Sequence, residues 1–217
     1  MTDILGSEES AQQWFRDRFA LAPERWGQLE EYGRLLTEEN ERQNLVAAST
    51  LPNLWVRHLA DSAQLLNHVN GPIHSWMDLG SGAGLPGLVI AILSDAPVYL
   101  VESRKLRCQF LRDVAEKLNL PNVHVMESRL ELVPSQPISV ISARAFAPLD
   151  KLMGLARRFA TEETVWLLPK GRNAQIELAT MPQRWQTMFH VEQSLTDADS
   201  RILVGRGQFP TTKREKK

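Results

Sequence analysis

Residues 78–87 read Asp78-Leu79-Gly80-Ser81-Gly82-Ala83-Gly84-Leu85-Pro86-Gly87. An apolar run over 74–79 precedes the glycines and a second apolar stretch follows from 85. The spacing therefore predicts a strand, a glycine turn and a helix. Glycines let a backbone turn sharply and approach a ligand without a Cβ. The helix that follows offers free amides to an anion, and ligands of open α/β sheets sit beyond the carboxyl ends of the strands. Two familiar loops are excluded. A dinucleotide fingerprint, Gly-x-Gly-x-x-Gly, needs its third glycine where Leu85 stands, and the Gly-Lys-Ser/Thr of a P-loop is absent. What remains is Asp-x-Gly-x-Gly-x-Gly. Glu102 lies 22 residues after Gly80, at the end of the next predicted strand. An ionised carboxylate there has two oxygens to accept both hydroxyls of a ribose.

Outward from this loop, short apolar runs alternate with helical stretches. Strands are predicted over 74–79, 98–102, 123–126, 138–142, 164–169, 185–191 and 201–205, and helices over 85–94, 104–118, 149–159 and 173–179. Such alternation implies an α/β fold, a mostly parallel seven-stranded sheet covered by helices on both faces. The last two strands have no helix between them and predict an antiparallel end to the sheet. The first 70 residues read as helices instead. Trp14, Phe15 and Phe19 recur at helical spacing, then Trp26, Leu29, Leu35 and Leu36 after Pro23, then a third helix through Leu54, His58, Leu59, Ser62 and Leu65 that Gly71-Pro72 closes. The expected division is a helical extension over 1–72 packed on the sheet, a sheet domain over 73–209, and a basic tail over 210–217.

The 217 residues carry 25 Lys+Arg and 26 Asp+Glu, a formal charge of -1, and 43% are hydrophobic. These are values of a soluble globular chain. The balance is uneven: residues 1–75 hold 6 basic and 11 acidic side chains, and the positive excess falls in the remainder. That permits a polyanionic partner without demanding one. Lys213, Arg214, Lys216 and Lys217 read as a solvated, disordered tail. A single cysteine, Cys108, excludes an intramolecular disulfide framework and a Cys-rich zinc site, and no metal is expected. No apolar run is long enough to span a bilayer. The first residues lack a basic-then-apolar signal pattern, so a cytoplasmic location is expected.

The glycine run resembles motif I of class I S-adenosylmethionine-dependent methyltransferases, whose Rossmann-like fold suits the predicted sheet. Two acceptor classes are then disfavoured. Exocyclic-amine methylases of this fold carry Asn/Asp-Pro-Pro-Tyr/Phe after the fourth strand, where this chain has Ser142-Ala143-Arg144-Ala145-Phe146. Cytosine-C5 enzymes need a thiolate nucleophile, and Cys108 falls inside a predicted helix, where a small buried hydrophobe is its ordinary role. The acceptor is therefore expected to supply its own nucleophile. A ring nitrogen such as guanine N7 does so, because its lone pair is free before any proton leaves.

Several motifs together carry a sharper resemblance. Asn44-Leu45, Arg57-His58-x-x-Asp61-Ser62, the 78–87 run, Glu102-Ser103-x-Lys105-x-Arg107, Ser128-Arg129-x-Glu131, Ala143-Arg144-Ala145-Phe146 and Lys170-Gly171 resemble the RsmG (GidB) family of bacterial 16S rRNA guanine-N7 methyltransferases. The resemblance spans roughly 35–205. It implies S-adenosylmethionine as cofactor and 16S rRNA or a small-subunit assembly intermediate as partner. It implies that Gly80 and Leu85 line the methionine side, with Gly82 and Gly84 shaping the loop and Asp78 among the cofactor-binding residues. Glu102 would take the ribose, Leu130 (through its backbone) and Glu131 the adenine. Arg144 would position cofactor and base without acting as a general base. Arg57, His58 and Lys170 would face the RNA.

Plainer readings stand beside these. Arg57 and Asp61, four apart, also fit a surface ion pair. His58 among leucines also fits a core histidine, and Arg144 a structural ion-pair partner. Lys170 also fits an exposed strand-end cation. Arg104, Lys105, Arg107 and Arg112 also fit a solvated helix face, and Trp14 and Phe19 fit core better than base stacking. Two other functions keep the same fold: a small-molecule methyltransferase, and a non-catalytic RNA-binding assembly factor with a relic loop. An RNA-bound target must also be unstacked or extruded, since the A-form major groove hides N7 from protein side chains.

Overall fold

The structure, a computed structural model, describes residues 4–208. Seven strands, β1 (Trp76–Leu79), β2 (Val98–Glu102), β3 (Val123–Glu127), β4 (Ile138–Ser142), β5 (Ala160–Lys170), β6 (Phe189–Gln193) and β7 (Arg201–Arg206), form one sheet. Their order is β3-β2-β1-β4-β5-β7-β6. Strands β1 to β5 pair in parallel, and β7 inserts antiparallel between β5 and β6. The helices are α1 (Glu8–Phe19), α2 (Pro23–Gln43), α3 (Asp61–Ala63), α4 (Gly87–Leu93), α5 (Lys105–Lys117), α6 (Leu149–Ala156), α7 (Ala174–Ala179) and α8 (Gln183–Gln186). Strand β1 has β2 on one side and β4 on the other. That is the switch point of a doubly wound sheet, where a crevice opens at the carboxyl ends.

Alternation along β1 divides the core. Trp76 joins an apolar cluster with Leu88, Leu100 and Leu111, while Met77 and Leu79 join another with Ile141, Met153 and Trp166 on the opposite face. The first cluster is completed by the amino-terminal helices: Phe15, Tyr32, Leu36, Trp55 and Leu59 are buried in it. Trp14, Phe15 and Trp55 pack edge to face around α1, and Trp26 stacks on Trp55. Residues 8–68 thus share one core with the sheet.

Three elements differ from the sequence reading. The third helix is a segmented run: 3₁₀ over Ala48–Asn53, π over Trp55–Ala60, α3, then 3₁₀ over Gln64–His68. Pro52 has no N–H to give, and the amides of Trp55 and Val56 donate to the Glu8 carboxylate, each at 3.0 Å. Segment changes of this kind recur where side chains must be re-aimed. The strand predicted over 185–191 begins only at Phe189. Pro182 starts a helical turn, with the Trp185 amide bonded to its carbonyl at 2.8 Å, and Trp185 is buried from α8. Strand β5 begins earlier than predicted, at Ala160, because the polar Thr161, Glu162 and Glu163 continue it. The basic tail predicted over 210–217 lies outside the described residues. No helix among the described residues is long and apolar enough to cross a membrane.

Glycines separate tight from open places. A Cβ on Gly87 would lie 2.2 Å from Leu100 Cδ2 and 3.0 Å from Asp78 Oδ2, whereas one on Gly27, in α2, meets nothing within 4 Å. We expect Gly87→Ala to lower stability by about 1–3 kcal/mol through overpacking. Gly27→Ala should raise it by about 0.5–1 kcal/mol through helix propensity. Urea unfolding of both variants measures the two signs.

Candidate active site

Asp78 anchors the carboxyl end of β1. It is fully buried. Its Oδ1 accepts from Ser142 Oγ at 2.8 Å and its Oδ2 from the Gly87 amide at 3.3 Å, while Ser142 in turn accepts from the Trp76 indole at 2.8 Å. One carboxylate therefore ties β1, β4 and the start of α4. The loop between them closes on itself. Gly84 at φ +90° has Leu88 2.3 Å from where its Cβ would stand, and Gly80 at φ +71° has Phe146 2.6 Å away. Neither place has room for a side chain. From the other side the buried Tyr32 hydroxyl donates to the Ala83 carbonyl at 2.8 Å. Burial pushes the Tyr32 pKa up, so it stays a donor.

Beyond these strand ends lies a cavity of about 500 Å³ lined by Gly80, Glu102, Leu130, Glu131, Phe146 and Arg107, among others. A nucleoside-sized ligand fits that volume. Glu102 is buried in its wall. Its Oε1 accepts from the Ser103 and Arg104 amides at 2.7 and 2.9 Å, and its Oε2 from the Gly82 amide at 3.1 Å. Three of about four acceptor positions are thus taken by the chain itself. One position, on Oε2, is left for a ligand hydroxyl, where the sequence reading expects two to be accepted. The Leu130 carbonyl accepts from Arg158. Asp78, Gly82, Gly84 and Leu85 do not line the cavity.

A second cavity, of about 270 Å³, adjoins the first. Arg144, Asp61, Lys170 and Arg201 line it, and Ala145 lines both. Ala145 sits at φ +52°, and this left-handed turn sends Arg144 into one cavity and Phe146 into the other. Arg144 Nη1 lies 3.6 Å from Asp61 Oδ2, and Lys170 Nζ lies 3.0 Å from Glu177.

Two predicted residues stand elsewhere. His58 is buried, correcting the expectation that it faces RNA: its Nε2 meets Thr50 Oγ1 at 2.7 Å, and its buried Nδ1 has no protein partner. Burial first, then the Arg144 and Arg57 guanidiniums, push its pKa down to about 4. It is neutral at physiological pH. Arg57 pairs with Asp197 at 2.8 Å rather than with Asp61, because the π turn separates them, and it borders a different, shallow depression. Cys108 is buried, its Sγ 3.3 Å from the Glu102 carbonyl. Phe146 and Lys151 line the first cavity and Tyr32 braces the loop behind it, roles the sequence reading does not assign them. Phe146 was legible as the aromatic after Arg144-Ala145; Tyr32 and Lys151 carried no signal beyond their helices. No group of three or more His, Cys, Asp or Glu placed to hold a metal occurs among the described residues.

Asp78 gives a pH test. Desolvation raises its pKa from 3.8 to about 6, with the bonds from Ser142 and Gly87 opposing. A carboxyl raised in the folded state contributes most below its unfolded pKa, and the contribution is lost as pH rises through about 6. The loss approaches about 3 kcal/mol. Stability should therefore fall from this group between about pH 4 and 7. In Asp78→Asn that slope should vanish, as urea midpoints across the range will register.

Residues 25–203 match the family model described as rRNA small subunit methyltransferase G. The ribosomal RNA small subunit methyltransferase G of Sphingopyxis alaskensis is 55% identical over 99% of this chain and 92% of its own length. That of Novosphingobium aromaticivorans is 53% identical over 93% and 89%. Among solved structures, a SAM-dependent methyltransferase from Aquifex aeolicus aligns with a TM-score of 0.54 at 13% identity, covering 71% of this chain and 92% of that one. A TehB-like SAM-dependent methyltransferase from Corynebacterium glutamicum gives 0.52 at 10%, over 68% and 88%. The structural likenesses show the fold, a class I S-adenosylmethionine-dependent methyltransferase sheet. The sequence matches go further: this chain belongs to the rRNA small subunit methyltransferase G (GidB) family.

Proposed function

We propose that this chain transfers a methyl group from S-adenosylmethionine to N7 of a guanine in 16S rRNA, acting in the cytoplasm on the small subunit or its assembly intermediate. The observation that carries the reading is a pair of neighbouring cavities that share Ala145 in their walls. One is nucleoside-sized with a buried acid in its wall; the other is lined by Arg144, Lys170 and Arg201 and meets it at Ala145. The family sets the substrate class as rRNA, and a cation-lined second cavity suits a nucleotide.

Bound S-adenosylmethionine supplies a methyl on a sulfonium; the N7 lone pair makes the new C–N bond as the C–S bond breaks, and the charge passes to the purine. The chain's part is to bind, orient and exclude water. Glu102 holds a ribose hydroxyl. The Leu130 backbone and Glu131 border the adenine, the amide being the Leu130 group to meet it, since Arg158 holds its carbonyl. The fork of Arg144 orients the base or the cofactor's carboxylate. No proton acceptor is required, and neither His58 nor Asp78 could serve as one. His58 is enclosed and neutral, and Asp78 is committed to Ser142 and Gly87.

Mapping N7-methylguanine in 16S rRNA from cells with and without this gene tests the reading; an unchanged N7 pattern overturns it. Glu102→Ala should weaken cofactor binding by about 1–3 kcal/mol through lost charged hydrogen bonds, as titration calorimetry will measure.

The chemical step should be flat from about pH 6.5 to 9, since no base titrates there. Single-turnover rates of wild type and His58→Gln should both show this. Arg144→Lys keeps the charge but loses the planar fork, and should lower turnover beyond any loss of stability.

A further inference from the structure

Asp61 lines the second cavity and has no role in the scheme above. We infer that the Asp61 carboxylate reads the Watson–Crick edge of the target base and so selects guanine; this rests on the guanine-N7 reading of the same site.

The two oxygens of Asp61 have different surroundings. Oδ1 accepts from Thr196 Oγ1 at 2.8 Å and from Gln64 Nε2 at 2.9 Å. Gln64 is itself held, donating to Ser194 Oγ at 3.1 Å and accepting from the Leu195 amide at 2.7 Å. Gln64, Ser194 and Thr196 are buried. The carboxylate is thereby fixed between α3 and the turn joining β6 to β7. Oδ2 is held less closely. Arg144 Nη1 stands 3.6 Å from it, beyond hydrogen-bond length, so the contact is charge to charge without a shared proton. Oδ2 keeps its acceptor positions, in a cavity whose other charged groups are the cations Arg144, Lys170 and Arg201.

A rigid acceptor beside donors matches guanine and little else. An ionised carboxylate only accepts. Guanine presents N1–H and the N2 amino group side by side, two donors that can converge on Oδ2, and its O6 and the flanking phosphates suit the cations. Adenine would set its N1 lone pair against the carboxylate. The cavity's 270 Å³ suits one base. N7 lies on the neighbouring Hoogsteen edge, across O6, so anchoring through N1 and N2 leaves N7 unobstructed. Ala145, on the wall shared with the first cavity, marks the side from which the methyl group would come. The arrangement also favours the reaction. Methyl transfer leaves positive charge on the purine and makes N1–H a stronger donor, so the bond to Asp61 strengthens as the transition state forms.

The test uses small-subunit RNA carrying guanosine, inosine or 7-deazaguanosine at the single target position, with the full chain. Inosine lacks the N2 amino group but keeps N1–H, O6 and N7. Wild type should methylate inosine with kcat/KM about 10–100-fold below guanosine, the loss of a hydrogen bond to a charged acceptor. Asp61→Asn should bind S-adenosylmethionine normally, lower kcat for guanosine more than it raises KM, and reduce the guanosine-to-inosine ratio to about threefold or less. Equal wild-type rates on guanosine and inosine overturn the inference without any variant. So does an Asp61→Asn chain that slows both substrates by the same factor, because Asp61 would then act only through Arg144. Continued methylation of 7-deazaguanosine would show that the acceptor is not N7. That outcome sinks the proposed function and is independent of the inosine ratio.

Discussion

A buried carboxylate at the switch point of the sheet sets the rest of the site. Asp78 has no solvent, so its two oxygens need partners. It takes one from β4, through Ser142, and one from the first turn of α4, through Gly87. Those bonds draw the start of α4 so close to β1 that residue 87 has no room for a Cβ. The chain between strand and helix must then fold back within a few residues, which is why the left-handed Gly80, Gly82 and Gly84 stand in a row. The glycine pattern follows from the anchoring of one acid as much as from the approach of a ligand. A Cβ on Gly80 would strike Phe146 before it struck anything bound.

The amino-terminal helices serve the same loop. Tyr32 holds the Ala83 carbonyl from outside the sheet, Glu8 caps the run that begins at Trp55, and Asp61 on that run reaches the cavity beside Arg144. The changing helical pitch between 48 and 68 decides where these side chains go. A regular α-helix would set Arg57 and Asp61 on one face as an ion pair. The π turn instead gives Arg57 to Asp197 and Asp61 to Arg144, while His58 turns inward to Thr50. The helical segment thus contributes to the site besides covering apolar surface.

What the sequence made legible follows from the range of the forces involved. The strand–glycine–helix unit, the parallel strands and Glu102 are local patterns, and period and spacing carry them. The competition for Glu102 is not written in residue types. The amides of Ser103 and Arg104, next in the chain, and of Gly82, from the glycine loop, take three of its acceptor positions, and backbone donors leave no mark in the side-chain pattern. The shortened strand at Phe189 is a case of Pro182 outweighing an apolar run. Periodicity already set His58 among leucines, where it is buried; its RNA-facing role came from the resemblance alone. The change of pitch is what periodicity misses, since it assumes about 3.6 residues per turn while the carboxylate of Glu8, far away in the chain, bonds the amides of Trp55 and Val56.

Charge distribution connects fold to chemistry. The excess of acids in the first 75 residues looks, as a sum, unsuited to a nucleic-acid enzyme. Placed in the structure, the sum matters less than the address. Asp61 comes from the acidic part, whereas Arg144, Lys170 and Arg201 come from the part with the positive excess, and the four meet around one cavity. A wholly basic cavity would hold phosphate well but would oppose a reaction that leaves a cation on the base, since like charges at close range raise the energy of that state. One fixed carboxylate among three cations offsets this. For the proposed transfer to guanine N7, such a carboxylate would leave the attraction for a nucleic-acid backbone in place and supply a counter-charge where the purine becomes positive.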